Sequence, residues 1–186
     1  DNDIGRLKNY LRTEDDKALV QQFQTIIDQY QDTFYDGSEA SMQIGLTPEE
    51  GLSQEIRLLM WQTDALIVWL ERGWLRDQFN SLRTNLDEYI ATSGQAVSID
   101  RIQRDMARMK NQLEAISSNK FPQNRIAVLE NIDKAEELFV ELSEAVERSN
   151  EKFTQLQSII ATLAPKIDEV TTLAADYKIQ NDQLQV

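Results

Sequence analysis

A chain of 186 residues with no cysteine and no histidine has no thiolate nucleophile, imidazole base, Cys/His zinc site or disulfide, which leaves carboxylates as its main route to catalysis. Its formal net charge of −13 is spread along the whole sequence, and this opposes binding to a phosphate backbone, so nucleic acid is excluded as a partner. With 41% hydrophobic residues but only six glycines and three prolines, the composition suits long helices and leaves little material for tight turns, and the expected class is all-α.

The length allows one domain with a substantial core, or two small modules that share helices. No run of about 18 apolar residues is present to span a bilayer. The sequence starts at Asp1 without a methionine and reads as a processed or excised fragment whose flanking signal or membrane segments are missing. No cofactor, metal or catalytic site is expected.

Ile4, Leu7, Tyr10 and Leu11 make a short helical face that ends in Arg12-Thr13-Glu14-Asp15-Asp16. Thr13, Asp15 or Asp16 is suited to cap a second helix, whose acidic first turn opposes the positive end of the helix dipole. That second helix carries Leu19, Phe23, Ile26, Tyr30, Thr33, Gly37, Ala40 and Ile44 at alternating steps of four and three, a heptad seam. Gly37, Ser38, Ala40 and Ser41 would let a neighbour approach closely. Gly45-Leu46-Thr47-Pro48-Glu49-Glu50-Gly51-Leu52 then sets a proline between two glycines, so one helix ends near Gly45 and another begins beyond Pro48.

From Leu52 two apolar stripes follow a helical period, one through Leu52, Ile56, Leu59, Leu66 and Leu70, the other through Trp61, Ala65, Val68, Leu75, Phe79, Leu82, Leu86 and Tyr89. Between Leu58 and Leu70 the helix is apolar on most of its circumference, which predicts packing against neighbours on more than one side. Glu71-Arg72-Gly73 reads as a hairpin turn, because Leu75, Phe79, Leu82 and Leu86 echo the spacing of Leu19, Phe23, Ile26 and Tyr30. A continuous helix from Ser53 to Ala91 is the alternative, since the second stripe keeps its register through Gly73. Arg72 falls where that stripe calls for an apolar side chain. It either snorkels out at a helix break or points inward as a planar fork for a carboxylate.

Thr92-Ser93-Gly94 supplies a stop, and Ser98 or Asp100 begins a helix with Ile99, Ile102, Met106, Met109, Leu113 and Ile116 on one face. Ser117-Ser118-Asn119-Lys120-Phe121-Pro122 closes it. The longest signal comes last, running from Val128 through Ile132, Ala135, Phe139, Leu142, Val146, Ser149, Phe153, Leu156, Ile160, Leu163, Ile167, Val170 and Ala174 to Tyr177 without a slip. A helix of about 60 residues would reach roughly 90 Å, so an elongated protein is expected, with a kink near Thr162 caused by Pro165. Its length beyond the neighbouring helices predicts pairing with a second copy, a homodimer. Glu136, Glu137, Glu141, Glu144 and Glu147 read as a solvated face and not as a metal site. Helices are expected near 3–13, 16–45, 52–71, 74–92, 98–118 and 123–184.

The polar hairpin after Tyr10-Leu11-Arg12, the Gly45–Leu52 loop followed by Ile56-Arg57, and the closing Phe153…Leu163-Ala164-Pro165-Lys166-Ile167 helix resemble the extracytoplasmic helical sensor regions of bacterial chemoreceptors and sensor histidine kinases. The closest likeness is to the helical bimodular sensor domain, in which two stacked four-helix bundles share long helices. The resemblance implies a single sensor domain over 1–186, with two modules sharing the helix 123–184. It also implies a periplasmic location and anchoring in the inner membrane through segments absent from this chain. A small molecule, an organic acid or an amino-acid-like compound, would bind between helices and signal by helix displacement. Trp61-Gln62-Thr63-Asp64 stands where such domains carry a charged Arg/Glu/Asp run, so their ligand chemistry is not carried over.

The candidate ligand site is built from Arg57, Trp61, Trp69, Arg72, Trp74 and Arg76, because three tryptophans beside arginines can wall a pocket for a small carboxylate. Acidic surroundings favour a cationic or zwitterionic ligand, with Asp64 or Asp77 as its partner. The bland alternative has the tryptophans filling a junction between modules and the arginines pairing with the surplus carboxylates. At the level of the whole chain, the competing function is a structural helical spacer or coiled-coil interaction domain without a ligand.

Overall fold

A computed structural model of the chain describes residue 11 and residues 13–47, 49–116 and 121–184, with 179–184 described by backbone alone. The expected helix near 3–13 lies almost wholly outside the described residues, as do Arg12, Pro48 and Ser117–Lys120. The chain is an all-α helical bundle. Its described elements are α1 (Glu14–Ile44), α2 (Gly51–Ile67), a single 3-10 turn (Val68–Leu70), α3 (Gly73–Ala91), α4 (Ile99–Glu114) and α5 (Pro122–Leu184). None of the described helices is long and apolar enough to cross a membrane.

Each boundary has a local cause. Thr13 caps α1, its Oγ1 accepting the Asp16 N–H at 3.1 Å, and Glu14, Asp15 and Asp16 face the helix dipole. Gly45 ends α1 at φ 110°, and Gly51 opens α2 at φ 62°. Between α2 and α3 the 3-10 turn leads to Glu71 in the left-handed region (φ 52°) and then to Arg72 in extended conformation. The chain therefore makes the hairpin turn and not the continuous helix. α5 runs unbroken through Pro165, whose missing N–H leaves only one rung of the ladder open.

By internal contacts the chain forms two compact units, residues 38–150 and residues 1–37 with 151–186. The first holds one continuous core. Leu52, Ile56, Met60, Ile67 and Leu70 from α2 and its turn meet Leu75, Phe79, Leu82, Leu86 and Tyr89 from α3, Ile102, Met106, Met109 and Leu113 from α4, and Val128 through Val146 from α5. Tyr89 and Phe139 pack edge to face at 5.1 Å, a geometry favoured by the ring quadrupoles. On the rim of the core Lys110 of α4 bridges Asp133 (2.9 Å) and Glu136 (2.6 Å) of α5. Ser41 and Ser149 approach through their hydroxyls at 3.2 Å, as the small residues on α1 allow.

Two expectations about α2 are corrected. The stripe through Trp61, Ala65 and Val68 faces solvent, and the buried side of α2 is Leu52, Ser53, Ile56, Leu59, Met60, Thr63 and Ile67. Leu58 and Val68 are 52% exposed and Trp69 57%, so within this chain α2 packs on one side only. The cause is the turn: the 3-10 segment and the left-handed Glu71 reset the helical phase, so the stripe that is buried in α3 need not be buried before it.

The second unit contains the first part of α1 and the last part of α5. They run antiparallel, with Asp36 held by Lys152 at 2.8 Å near one end and Asp16 accepting from the Tyr177 hydroxyl at 2.7 Å near the other. A Cβ on Gly37 would stand 3.2 Å from the Lys152 Cβ, so this glycine permits the close approach of the two helices. Among the described residues of this unit only Leu11, Val20 and Thr33 are buried, and of these Val20 alone is fully enclosed.

Candidate functional site

α2 and α3 leave the turn antiparallel, and residues at equal distances from Arg72 meet across the hairpin. Arg57 precedes Arg72 by as many residues as Asp87 follows it, and its Nε donates to Asp87 Oδ1 at 3.1 Å. Ile56, Arg57, Met60 and Trp61 form one strip on α2, while Arg83, Leu86, Asp87 and Ile90 form the facing strip on α3, since residues three and four apart share a helix face. Between the strips lies an open groove of about 530 Å³ lined by these eight residues.

The floor is apolar: Ile56, Met60 and Leu86 are buried and belong to the core. Trp61, 69% exposed, stands at the side as an aromatic wall. At the rim, Arg57 is committed to Asp87, whereas Arg83 Nη1 stands 3.8 Å from Asp64 Oδ2, too long for a hydrogen bond. The Asp64 Oδ1 atom is buried and makes no hydrogen bond within the chain. The groove itself thus carries two guanidinium groups and the Asp87 carboxylate, with the Arg83 fork left to engage another molecule.

Of the six residues singled out in the sequence, the groove brings together Arg57 and Trp61. Trp69, Arg72, Trp74 and Arg76 lie at the α2–α3 turn and do not line it. Trp69 is 57% exposed and meets Phe121 edge-on at 5.7 Å. Trp74, Arg76 and Asp77 are exposed on the first turn and a half of α3. Arg72 precedes α3 as an exposed residue, so of its two readings the outward one at a helix break holds and the inward one does not, because Glu71 takes the chain out of helical phase before Arg72 is reached. The tryptophans are likewise exposed to about half or more and fill no core.

Arg83 and Asp87 are the residues that a reading by clusters of aromatics missed. The signal lay in the hairpin itself: Trp61 and Arg83, like Arg57 and Asp87, are equidistant from Arg72. Elsewhere, among the described residues, no group of His, Cys, Asp and Glu side chains is arranged to hold a metal ion. Compared with known protein families, curated proteins and solved structures, the chain matches none.

Proposed function

We propose that the chain is the ligand-binding sensor region of a bacterial transmembrane receptor, lying on the periplasmic side of the inner membrane and binding an organic acid or amino-acid-like molecule between α2 and α3. The observation that carries this reading is the groove: an apolar floor, a tryptophan wall, and an arginine held only loosely by its own carboxylate. Its volume lies within the range of small-molecule sites. Arg83 offers a planar fork to a ligand carboxylate, and Asp87, the carboxylate that lines the groove, offers an acceptor to an ammonium. Both cations have anionic neighbours, so a zwitterion or a monocarboxylate with an apolar body suits the rim better than a polyanion does. A ligand spanning the groove touches α2 and α3 together and so favours states that differ in their relative placement, which is how binding would be passed on as a helix displacement. No described helix can serve as the anchor, and the reading places that anchor outside these residues.

The test is a melting-temperature screen with carboxylates, amino acids and amines, since a compound specific to the folded state raises the midpoint by mass action. A hit is then titrated by calorimetry against Arg83→Met, Trp61→Ala and Arg72→Met. Arg83→Met is expected to weaken binding by about 2 kcal/mol, as expected for a lost charge-assisted pair, with ligand-free stability unchanged. Trp61→Ala should weaken it as well, and exposed Arg72→Met should leave both affinity and stability as they are. If no compound of the three classes shifts the midpoint, the structural-spacer reading takes its place, and the exposed apolar stripe on α5 is the feature that favours it.

A further inference from the structure

The groove between α2 and α3 is spanned at its rim by a bridge of its own. Arg57 Nε donates to Asp87 Oδ1 at 3.1 Å, which ties the two helices together, and both partners line the groove. Their side chains are 34% and 50% exposed, so water competes for both groups and the bridge is weak enough to be exchanged. Arg83 faces the same space from four residues before Asp87 on α3, held by Asp64 only at 3.8 Å.

These positions set what a ligand must do to be held by charge. Asp87 is the one carboxylate among the eight lining residues, and Arg57 already engages it. A cationic group therefore gains a partner in the groove only by taking Asp87 from Arg57, whereas a carboxylate finds the Arg83 fork without disturbing the bridge. Residues four apart on a helix have Cβ atoms about 5–6 Å apart, so Arg83 and Asp87 present a cation and an anion to two opposite charges carried on one carbon. That is the arrangement of an α-amino acid. A simple amine would leave Arg57 without its carboxylate and supply no other. A dicarboxylate would need both guanidinium groups and would set its second anion beside Asp87, which repels it. The zwitterion alone replaces what it removes, because its carboxylate comes to lie near the displaced Arg57 as well as on Arg83. Ile56, Met60 and Leu86 beneath it, with Trp61 at the side, suit an apolar side chain.

We propose that the groove takes an α-amino acid with an apolar side chain by exchange of partners: the ligand ammonium displaces Arg57 from Asp87 while the ligand carboxylate takes the Arg83 fork. The inference rests on the groove being the ligand site and adds how that site chooses. The bridge between α2 and α3 opens for a zwitterion and stays closed for a simple carboxylate, so the zwitterion alone changes what ties the two helices together.

Calorimetry on the whole chain compares L-leucine with isocaproate and isoamylamine, and L-phenylalanine with hydrocinnamate and phenethylamine, each analogue lacking one charged group of the amino acid. The amino acid of the better-fitting series is expected to bind about tenfold or more tightly than its carboxylate analogue, as for a charge-assisted pair. Asp87→Asn is expected to abolish that preference by weakening the amino acid alone. Arg57→Met removes the competitor for Asp87 and is expected to tighten the amino acid about threefold, leaving the carboxylate analogue as it was. Both substitutions break the same bridge, so a merely structural role would move amino-acid affinity the same way in both. Melting temperatures serve as the folding check, and Arg57→Met decides the matter alone if Asp87→Asn is unstable. Equal affinity for an amino acid and its carboxylate analogue, or weaker amino-acid binding by Arg57→Met, overturns the exchange and leaves the ligand reading standing. Binding of none of these compounds overturns it too, and the ligand reading falls with it only if the wider melting screen is also blank.

Discussion

Tyr89 shows how a single side chain sets a limit on the conditions this fold tolerates. It lies 2% exposed against Phe139, and burial, with the Glu147 carboxylate adding to it, raises its phenol above the ordinary value near 10. The folded state thus holds the phenolic proton more tightly than the unfolded chain does. That contribution is complete below about pH 10 and is lost as pH rises through the folded value. Lys110 acts in the same direction, its ammonium raised by the hydrogen bonds to Glu136 and Asp133, so its support is also present below its ordinary value and fades above it. Asp16 acts at the opposite end: the hydrogen bonds from Thr13 and Tyr177 lower it, and its contribution is present above the ordinary carboxylate value and lost as pH falls through the folded one. With no histidine to titrate between these limits, melting temperature plotted against pH is expected to show a broad plateau that falls below about 4 and above about 10. Tyr89→Phe is expected to match the parent on the plateau and to extend its alkaline edge. An unchanged alkaline edge would show that Tyr89 does not set it.

The elements owe their ends to a few residues whose backbone no other side chain could share. A Cβ on Gly45 would stand 2.1 Å from the Glu50 carbonyl oxygen, and one on Gly51 2.6 Å from that of Gln43. The two glycines therefore let the strands of the α1–α2 loop touch backbone to backbone, and both have positive φ. Gly73 is different, since a Cβ there would meet nothing within 4 Å and its φ is not positive. Gly45→Ala is expected to destabilise by about 3 kcal/mol, from the left-handed backbone and the overlap together. Gly73→Ala, in the first turn of α3, is expected to be neutral or to stabilise by up to about 1 kcal/mol by restricting the unfolded chain. Urea denaturation of the two variants measures the contrast. Equal effects would mean that the α2–α3 turn depends on Gly73 and not on Glu71.

Across the whole molecule, stability follows burial and is unevenly shared along the single helix α5. The stretch from Val128 to Val146 is locked in a core with α2, α3 and α4, while the stretch from Phe153 to Tyr177 has α1 beside it and an open face. Local opening costs least where few apolar contacts must be broken. Amide hydrogen exchange is therefore expected to be slow over 128–146 and faster over 153–177, with no change in secondary structure between them. Uniform exchange along α5 would contradict the division of its seam.

The sequence by itself determined the helices, because they rest on local rules. Apolar spacing marked the α4 face of Ile102, Met106, Met109 and Leu113 and the seam from Val128 to Val146, and Thr13, Gly45, Glu71-Arg72-Gly73 and Pro122 marked the ends. It did not determine which face of each helix would be covered, since apolar residues at helical spacing look alike whether a neighbour is present or not. Trp61 and Val68 carry the same periodic signal as Ile56 and Met60, and Phe153 the same as Phe139, yet one member of each comparison is open to solvent. Arg83 came beside Trp61, and Asp87 beside Arg57, only when a reversal of the chain at Glu71 laid α3 back along α2. Helix formation depends on residues within a few positions of one another, whereas burial and the pairing of charges depend on what the fold brings from tens of residues away. That is why Arg72, read along the sequence, was a candidate for the interior, and in three dimensions stands in solvent.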